Sequence, residues 1–185
     1  MFIRQKIAVL FVLSLVLSLA CRLTPTQTHT FENEFFSFTI PAGWQTIEEV
    51  RDQPATPGQE YKGLGVQELV TIQYPPEAGK GRAFFVVASS PLAEGENLES
   101  RFTMAYQTAV PEIKNPSEES FIQGELSGYE ITYTRPWGEP WWQFRDIWLE
   151  KDGVIYVLSF YASHTSFETY AETFNEILES FRFKD

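Results

Sequence analysis

The strongest constraint on this chain lies near its C-terminus, in two long segments of β character that are apolar on both faces. Residues 141–150 and 154–161 flank Lys151-Asp152-Gly153, and Asp-Gly is the pair that a tight type I′ hairpin turn prefers. Alternation puts Ile147 and Leu149 on one face of the first segment and Phe144 and Trp148 on the other. Val154 to Tyr161 is likewise apolar on both sides. A sheet built on such strands needs cover on both faces, and helices are the available cover. The expected fold class is therefore α+β, a twisted and mainly antiparallel sheet flanked by helices on both faces.

Two covering helices are visible. Asn97 is placed to cap a helix whose Leu98, Phe102, Ala105, Tyr106 and Ala109 share one stripe, ended by Pro111. Near the C-terminus Phe167, Tyr170, Ala171, Phe174, Ile177, Leu178 and Phe181 repeat at helical spacing, while Glu168, Glu172, Glu176 and Glu179 avoid that stripe. Thr165 with Glu168 has the spacing of a capping box.

Shorter strands fill the rest. Phe36, Phe38 and Ile40 alternate onto one side and stop at Pro41-Ala42-Gly43, followed by Trp44. Val66, Glu68, Val70, Ile72 and Tyr74 alternate up to Pro75-Pro76, and residues 83–88 form a continuous apolar run consistent with burial on both faces. Residues 120–123 read as a short strand, and Tyr129, Ile131 and Tyr133 as a half-buried one with Glu130, Thr132 and Thr134 facing out. Residues 51–63, with two prolines and two glycines, read as a loop. Sixteen Phe, eight Tyr and five Trp supply the core, and a single cysteine rules out an internal disulfide, so packing alone must hold it.

The N-terminus is an address rather than part of the fold. Arg4 and Lys6 precede an apolar run from Ile7 to Leu19. That run is too short for a transmembrane helix of roughly 20 residues and suits a signal peptide. Ser18-Leu19-Ala20-Cys21 resembles a lipobox, with Ser18 where the commonest form has leucine. An ordinary signal peptidase would cut the same bond, so the open question is whether Cys21 carries lipid. The lone cysteine stands immediately after the cut, which favours lipidation over a free thiol. The expected organisation is a signal peptide over 1–20, a lipidated N-terminus and polar tether over 21–31, and one globular domain over 32–185. The expected place is the extracytoplasmic face of a membrane in the cell envelope.

Removing residues 1–20 takes Arg4 and Lys6 from 14 basic residues, and the remaining 12 against 25 acidic residues give a net charge of −13. Such a domain is repelled by phosphate backbones, which excludes nucleic acid as the expected partner. It is pushed off an anionic bilayer too, so attachment is expected from the lipid and not from charge.

The order of these elements, with Phe38, Pro41, Gly43 and Trp44 in an aromatic-x-x-Pro-x-Gly-Trp strand ending and Gly153-Val154-Ile155-Tyr156 before the last helix, resembles the PsbP-like (Mog1/PsbP) superfamily. The resemblance spans residues 31–183 in layout and is motif-level only at the two ends. It implies a twisted antiparallel sheet between helices and non-enzymatic work: plant PsbP supports the oxygen-evolving centre of photosystem II, and Mog1 binds a small GTPase. Residues 51–80 show no match to the photosynthetic members, so no metal or partner residue is carried over.

Chemistry-bearing patterns are sparse. Of two histidines, His29 falls in the tether and His164 just before the last helix, and no Gly-x-Ser-x-Gly elbow is present. No Cys-x-x-Cys, His-Glu-x-x-His or EF-hand loop occurs; Glu48-Glu49 and Glu118-Glu119 are adjacent acids of the kind that usually stay solvated. No cofactor is expected. Pro136-Trp137-Gly138-Glu139-Pro140-Trp141-Trp142 stands out, because exposed Trp137, Trp141 and Trp142 would form a rigid aromatic platform for a protein partner or a sugar ring. The competing reading folds these rings back over the sheet edge. The sequence thus points to a membrane-anchored, non-catalytic binding or assembly module with an unknown protein partner; the alternatives are a carbohydrate-binding lipoprotein using residues 137–142 and a small hydrolase built on His164.

Overall fold

A computed structural model describes residues 27–47, 67–74, 81–109, 113–136 and 141–184. Cys21, the signal segment, the 51–63 stretch and Trp137 lie outside the described residues. In chain order the elements are β1 His29–Glu32, β2 Phe36–Ile40, β3 Gln45–Thr46, β4 Gln67–Tyr74, β5 Ala83–Pro91, α1 Leu98–Met104 with a π-helical turn Ala105–Ala109, β6 Lys114–Gln123, β7 Leu126–Arg135, β8 Trp142–Lys151, β9 Val154–Ser163, α2 Phe167–Ser180 and β10 Arg182–Phe183.

Seven strands form one antiparallel sheet in the order β3-β4-β5-β9-β8-β7-β6, and a small second sheet has the order β1-β2-β10. The β8–β9 hairpin occupies the centre and turns where expected: Asp152 and Gly153 both have positive φ, 54° and 74°, which a type I′ turn demands. The two apolar faces bury two separate cores. One packs Phe85, Ile147, Leu158 and Phe160 under α2 and β2. The other packs Val86, Ile131, Phe144, Trp148 and Val157 under α1 and its π-helical turn. The sheet is thus covered on both faces, as the hairpin required.

Local details depart from the sequence reading. The stretch read as tether already contains β1, because pairing with β2 satisfies its backbone groups and seats Phe31 against Phe38. The strand read over 120–123 runs from Lys114, past a register shift beside Asn115, whose φ is 53°. Glu130, read as facing out, is buried, because Arg145 one strand away holds it. The Thr165–Glu168 capping box does not form: residues 164–166 turn directly from β9 into α2, and Ser166 takes the N-cap position without a side-chain cap bond. Asn97 does cap α1, in a reciprocal pair with Ser100.

Candidate functional site

Strand register decides which side chains meet at the sheet's ends. Ala83 pairs with Ala162, Trp142 with both Ser163 and Arg135, and Lys114 with Thr134. One end of the sheet therefore collects Arg82, Lys114, Arg135, Trp141, Trp142 and His164. The adjacent indoles divide between roles. Trp142 is half-buried and tilts against Phe84 at 6.0 Å and Tyr161 at 5.8 Å, as part of the core's edge. Trp141 is 38% exposed, with the Lys114 ammonium 5.8 Å from its ring centroid. The two neighbouring rings thus differ in exposure, Trp141 standing just before β8 and Trp142 being its first residue.

His164 lies beside this patch. Its N–H donates to the Trp141 carbonyl at 2.8 Å and its Nδ1 lies 3.0 Å from Gln143 Oε1, while Ser163 Oγ donates to Ser166 Oγ at 2.9 Å. Among the described residues no Ser–His pair forms.

Two hollows mark the ends of the molecule. A cleft of about 380 Å³ beside the Pro41–Trp44 turn is lined by Thr28, Trp44, Tyr74, Tyr170 and Glu176. Its wall is aromatic: Tyr74 packs on Tyr170 at 5.3 Å and on Trp44 at 6.1 Å. At the other end a groove of about 640 Å³ is lined by Leu126, Leu149, Phe181 and Phe183 together with Glu125, Glu150, Glu179, Lys151 and Arg182.

The strongest polar chemistry is interior. Asp146 has no exposed surface and accepts from Tyr106 Oη at 2.7 Å, from Tyr133 Oη at 3.0 Å and from Ser159 Oγ. Trp148 Nε1 in turn donates to Tyr106 Oη at 2.9 Å. Burial first, then the Asp146 charge, holds the Tyr106 phenol well above its ordinary value of 10. This network ties the π-helical turn to the sheet. The sequence carries one signal of it: Asp146 falls between Phe144 and Trp148 on an otherwise apolar face. On the opposite face Arg145 donates to both Glu130 oxygens, at 2.6 and 2.9 Å, and to Asn175 Oδ1 at 2.7 Å, with its guanidinium 4.9 Å from the Phe174 ring centre. The Asp146 network is enclosed in the core, whereas the Arg145 cluster reaches the surface at Asn175.

Glu118 and Glu119 are neighbours on β6 and so point to opposite faces. Among the described residues no group of three His, Cys, Asp or Glu is placed to hold a metal ion.

No family model matches this chain, and no curated protein matches it in sequence. Solved structures match in fold. Cyanobacterial PsbP (CyanoP) from Synechocystis sp. PCC 6803 superposes with a TM-score of 0.53 at 15% identity, covering 89% of this chain and 96% of that one. LpqN, a protein involved in cell envelope biogenesis of Mycobacterium tuberculosis, gives 0.53 at 11%, covering 86% and 91%. PA94 of Pseudomonas aeruginosa, whose function is unknown, gives 0.50 at 9%, covering 83% and 94%. The chain thus has a PsbP-like α+β fold, and at these identities the likeness is one of fold alone.

Proposed function

We propose, with the PsbP-like fold as premise, that this chain is an extracytoplasmic module held at a membrane by acyl chains on Cys21, and that it works by binding or assembly rather than catalysis. The observation that carries this reading is the position of the only cysteine, directly after a signal-type segment and eight residues before β1 begins at His29. A domain that starts so soon after its anchor is presented close to the bilayer. LpqN, which shares the fold, is involved in cell envelope biogenesis. The absorption of Asp146, Glu130 and Arg145 into structural networks fits a scaffold whose surface does the work.

Photo-crosslinking residues placed at position 125, on the groove rim, and at position 168, on the solvent face of α2, test it in native membranes. A discrete adduct at 125 and none at 168 is the expected result. Smears or blanks at both positions count against a binding role. A second reading, sugar binding, is favoured by the exposed Trp141 ring. It predicts a change in tryptophan emission with some member of a glycan panel, and a flat response across the panel dismisses it.

A further inference from the structure

We infer that Gln143 and His164, beside the Trp141 ring, form a subsite that takes a pyranose through two adjacent hydroxyl groups, an inference that rests on the sugar-binding reading above.

Register assembles the surface. Thr134 pairs with both Lys114 and Gln143, so these three side chains share one face of the sheet across two inter-strand gaps, about 10 Å. From its two ends this row reaches two rings. The Lys114 ammonium stands 5.8 Å from the Trp141 ring centroid, and the Gln143 amide oxygen lies 3.0 Å from His164 Nδ1. The backbones of the two ring-bearing residues are themselves joined, the His164 N–H donating to the Trp141 carbonyl at 2.8 Å. Trp141, His164 and Lys114 are exposed, and Gln143 and Thr134 are half-buried. Trp44 and Tyr170, which line the aromatic cleft, are only 1% and 4% exposed and offer no comparable surface.

Hydrogen-bonding chemistry selects the ligand. A carboxamide oxygen only accepts, so Nδ1 supplies the hydrogen, and in the neutral imidazole Nε2 is then an acceptor. The Gln143 amide nitrogen makes no hydrogen bond among the described residues and keeps two donors. The contact thus presents one acceptor and one donor side by side, locked together by its own hydrogen bond. Two adjacent hydroxyls of a pyranose complement it: one donates to Nε2, and its neighbour accepts from the amide. Both groups are uncharged and so suit hydroxyls rather than carboxylates or phosphates. The apolar face of the same sugar has the Trp141 indole to lie on. The side-chain contact and the backbone bond hold these groups in place before a ligand arrives, which lowers the ordering cost of binding.

The test titrates the full chain, purified from membranes in a detergent without sugar groups, with cellotetraose, mannotetraose and per-O-methylated cellotetraose, followed by saturation-transfer NMR. Cellotetraose or mannotetraose is expected to bind at millimolar concentration. The methylated sugar keeps its ring faces but loses its hydroxyl donors, and is expected to bind about ten-fold more weakly. Trp141→Ala is expected to weaken binding about ten-fold through the lost apolar contact. Gln143→Leu and His164→Leu are each expected to weaken it about two- to ten-fold, the effect of a neutral hydrogen bond. Equal binding of methylated and parent sugars, or wild-type binding by both Gln143→Leu and His164→Leu, overturns the subsite, while a loss in Trp141→Ala keeps the sugar-binding reading standing. No transfer to any of the three sugars overturns that reading and the subsite together, and so does binding indifferent to Trp141→Ala. The methylated sugar needs no variant, so the test holds even where a substitution prevents folding.

Discussion

Replacing Asp146 with alanine tests whether the interior network or apolar packing alone holds α1 and its π-helical turn on the sheet. The carboxylate is fully buried and accepts from Tyr106, Tyr133 and Ser159. Hydrogen bonds to a charged group contribute about 1.5–3 kcal/mol each, and a buried hydroxyl stripped of its acceptor costs about 1–3 kcal/mol. Three stripped hydroxyls set a ceiling of roughly 9 kcal/mol. Tyr106 keeps its bond from Trp148 and the hydroxyls re-pair in part, so the expected loss is about 3–5 kcal/mol. For a domain of this size about 2–4 °C accompany each kcal/mol, which gives a melting temperature lower by about 6–20 °C. Thermal unfolding followed by near-ultraviolet circular dichroism reports it, since Tyr106, Tyr133 and Trp148 all surround the site. Asp146→Asn, close in shape, should fall between alanine and wild type. A loss under about 1 kcal/mol for Asp146→Ala refutes the reasoning, because stripped hydroxyls in a dry core cannot be that cheap.

The raised Tyr106 pKa gives a pH dependence. The unfolded phenol ionises near pH 10 and the folded one does not, so its contribution is complete below about pH 10 and falls away as pH rises beyond it. Urea midpoints measured across that range should drop in wild type and drop less steeply in Tyr106→Phe, which starts less stable at neutral pH. Arg145→Lys keeps the charge but loses the two-pronged hold on Glu130 and the stacking on Phe174, and should lower stability by about 1–3 kcal/mol in urea melts. Gly128→Ala places a methyl carbon 1.9 Å from the Trp148 carbonyl oxygen; β7 and β8 must separate there, and a loss above about 3 kcal/mol or insoluble protein is expected. Gly124→Ala, at φ 61° with open space around it, should cost only about 1–2 kcal/mol in the same melts.

The two-faced apolar pattern of β8 and β9 was enough to demand a sheet covered on both sides, and the stripe of α2 named one of the covers. Those features are legible because burial imposes a period. Asn97 was legible as a cap because its partner stands three residues away. What depends on pairing between distant segments was not. β1 became ordered through β2, and the Thr165 capping box lost to a turn closed by Ser163 and Ser166. Glu130 looked outward on its own strand and is held inward by Arg145, fifteen positions on. Arg82, Lys114 and Arg135 come from three different strands or their margins and reach one end of the sheet only through register.

The account stands most directly on the bond between Cys21 and lipid. Cells expressing the chain are fed radiolabelled palmitate, and wild type is compared with Cys21→Ser after membrane fractionation. The expected result is label on wild type alone, with wild type in the membrane fraction after a carbonate wash and the variant released. Equal label and equal retention for both would contradict the account.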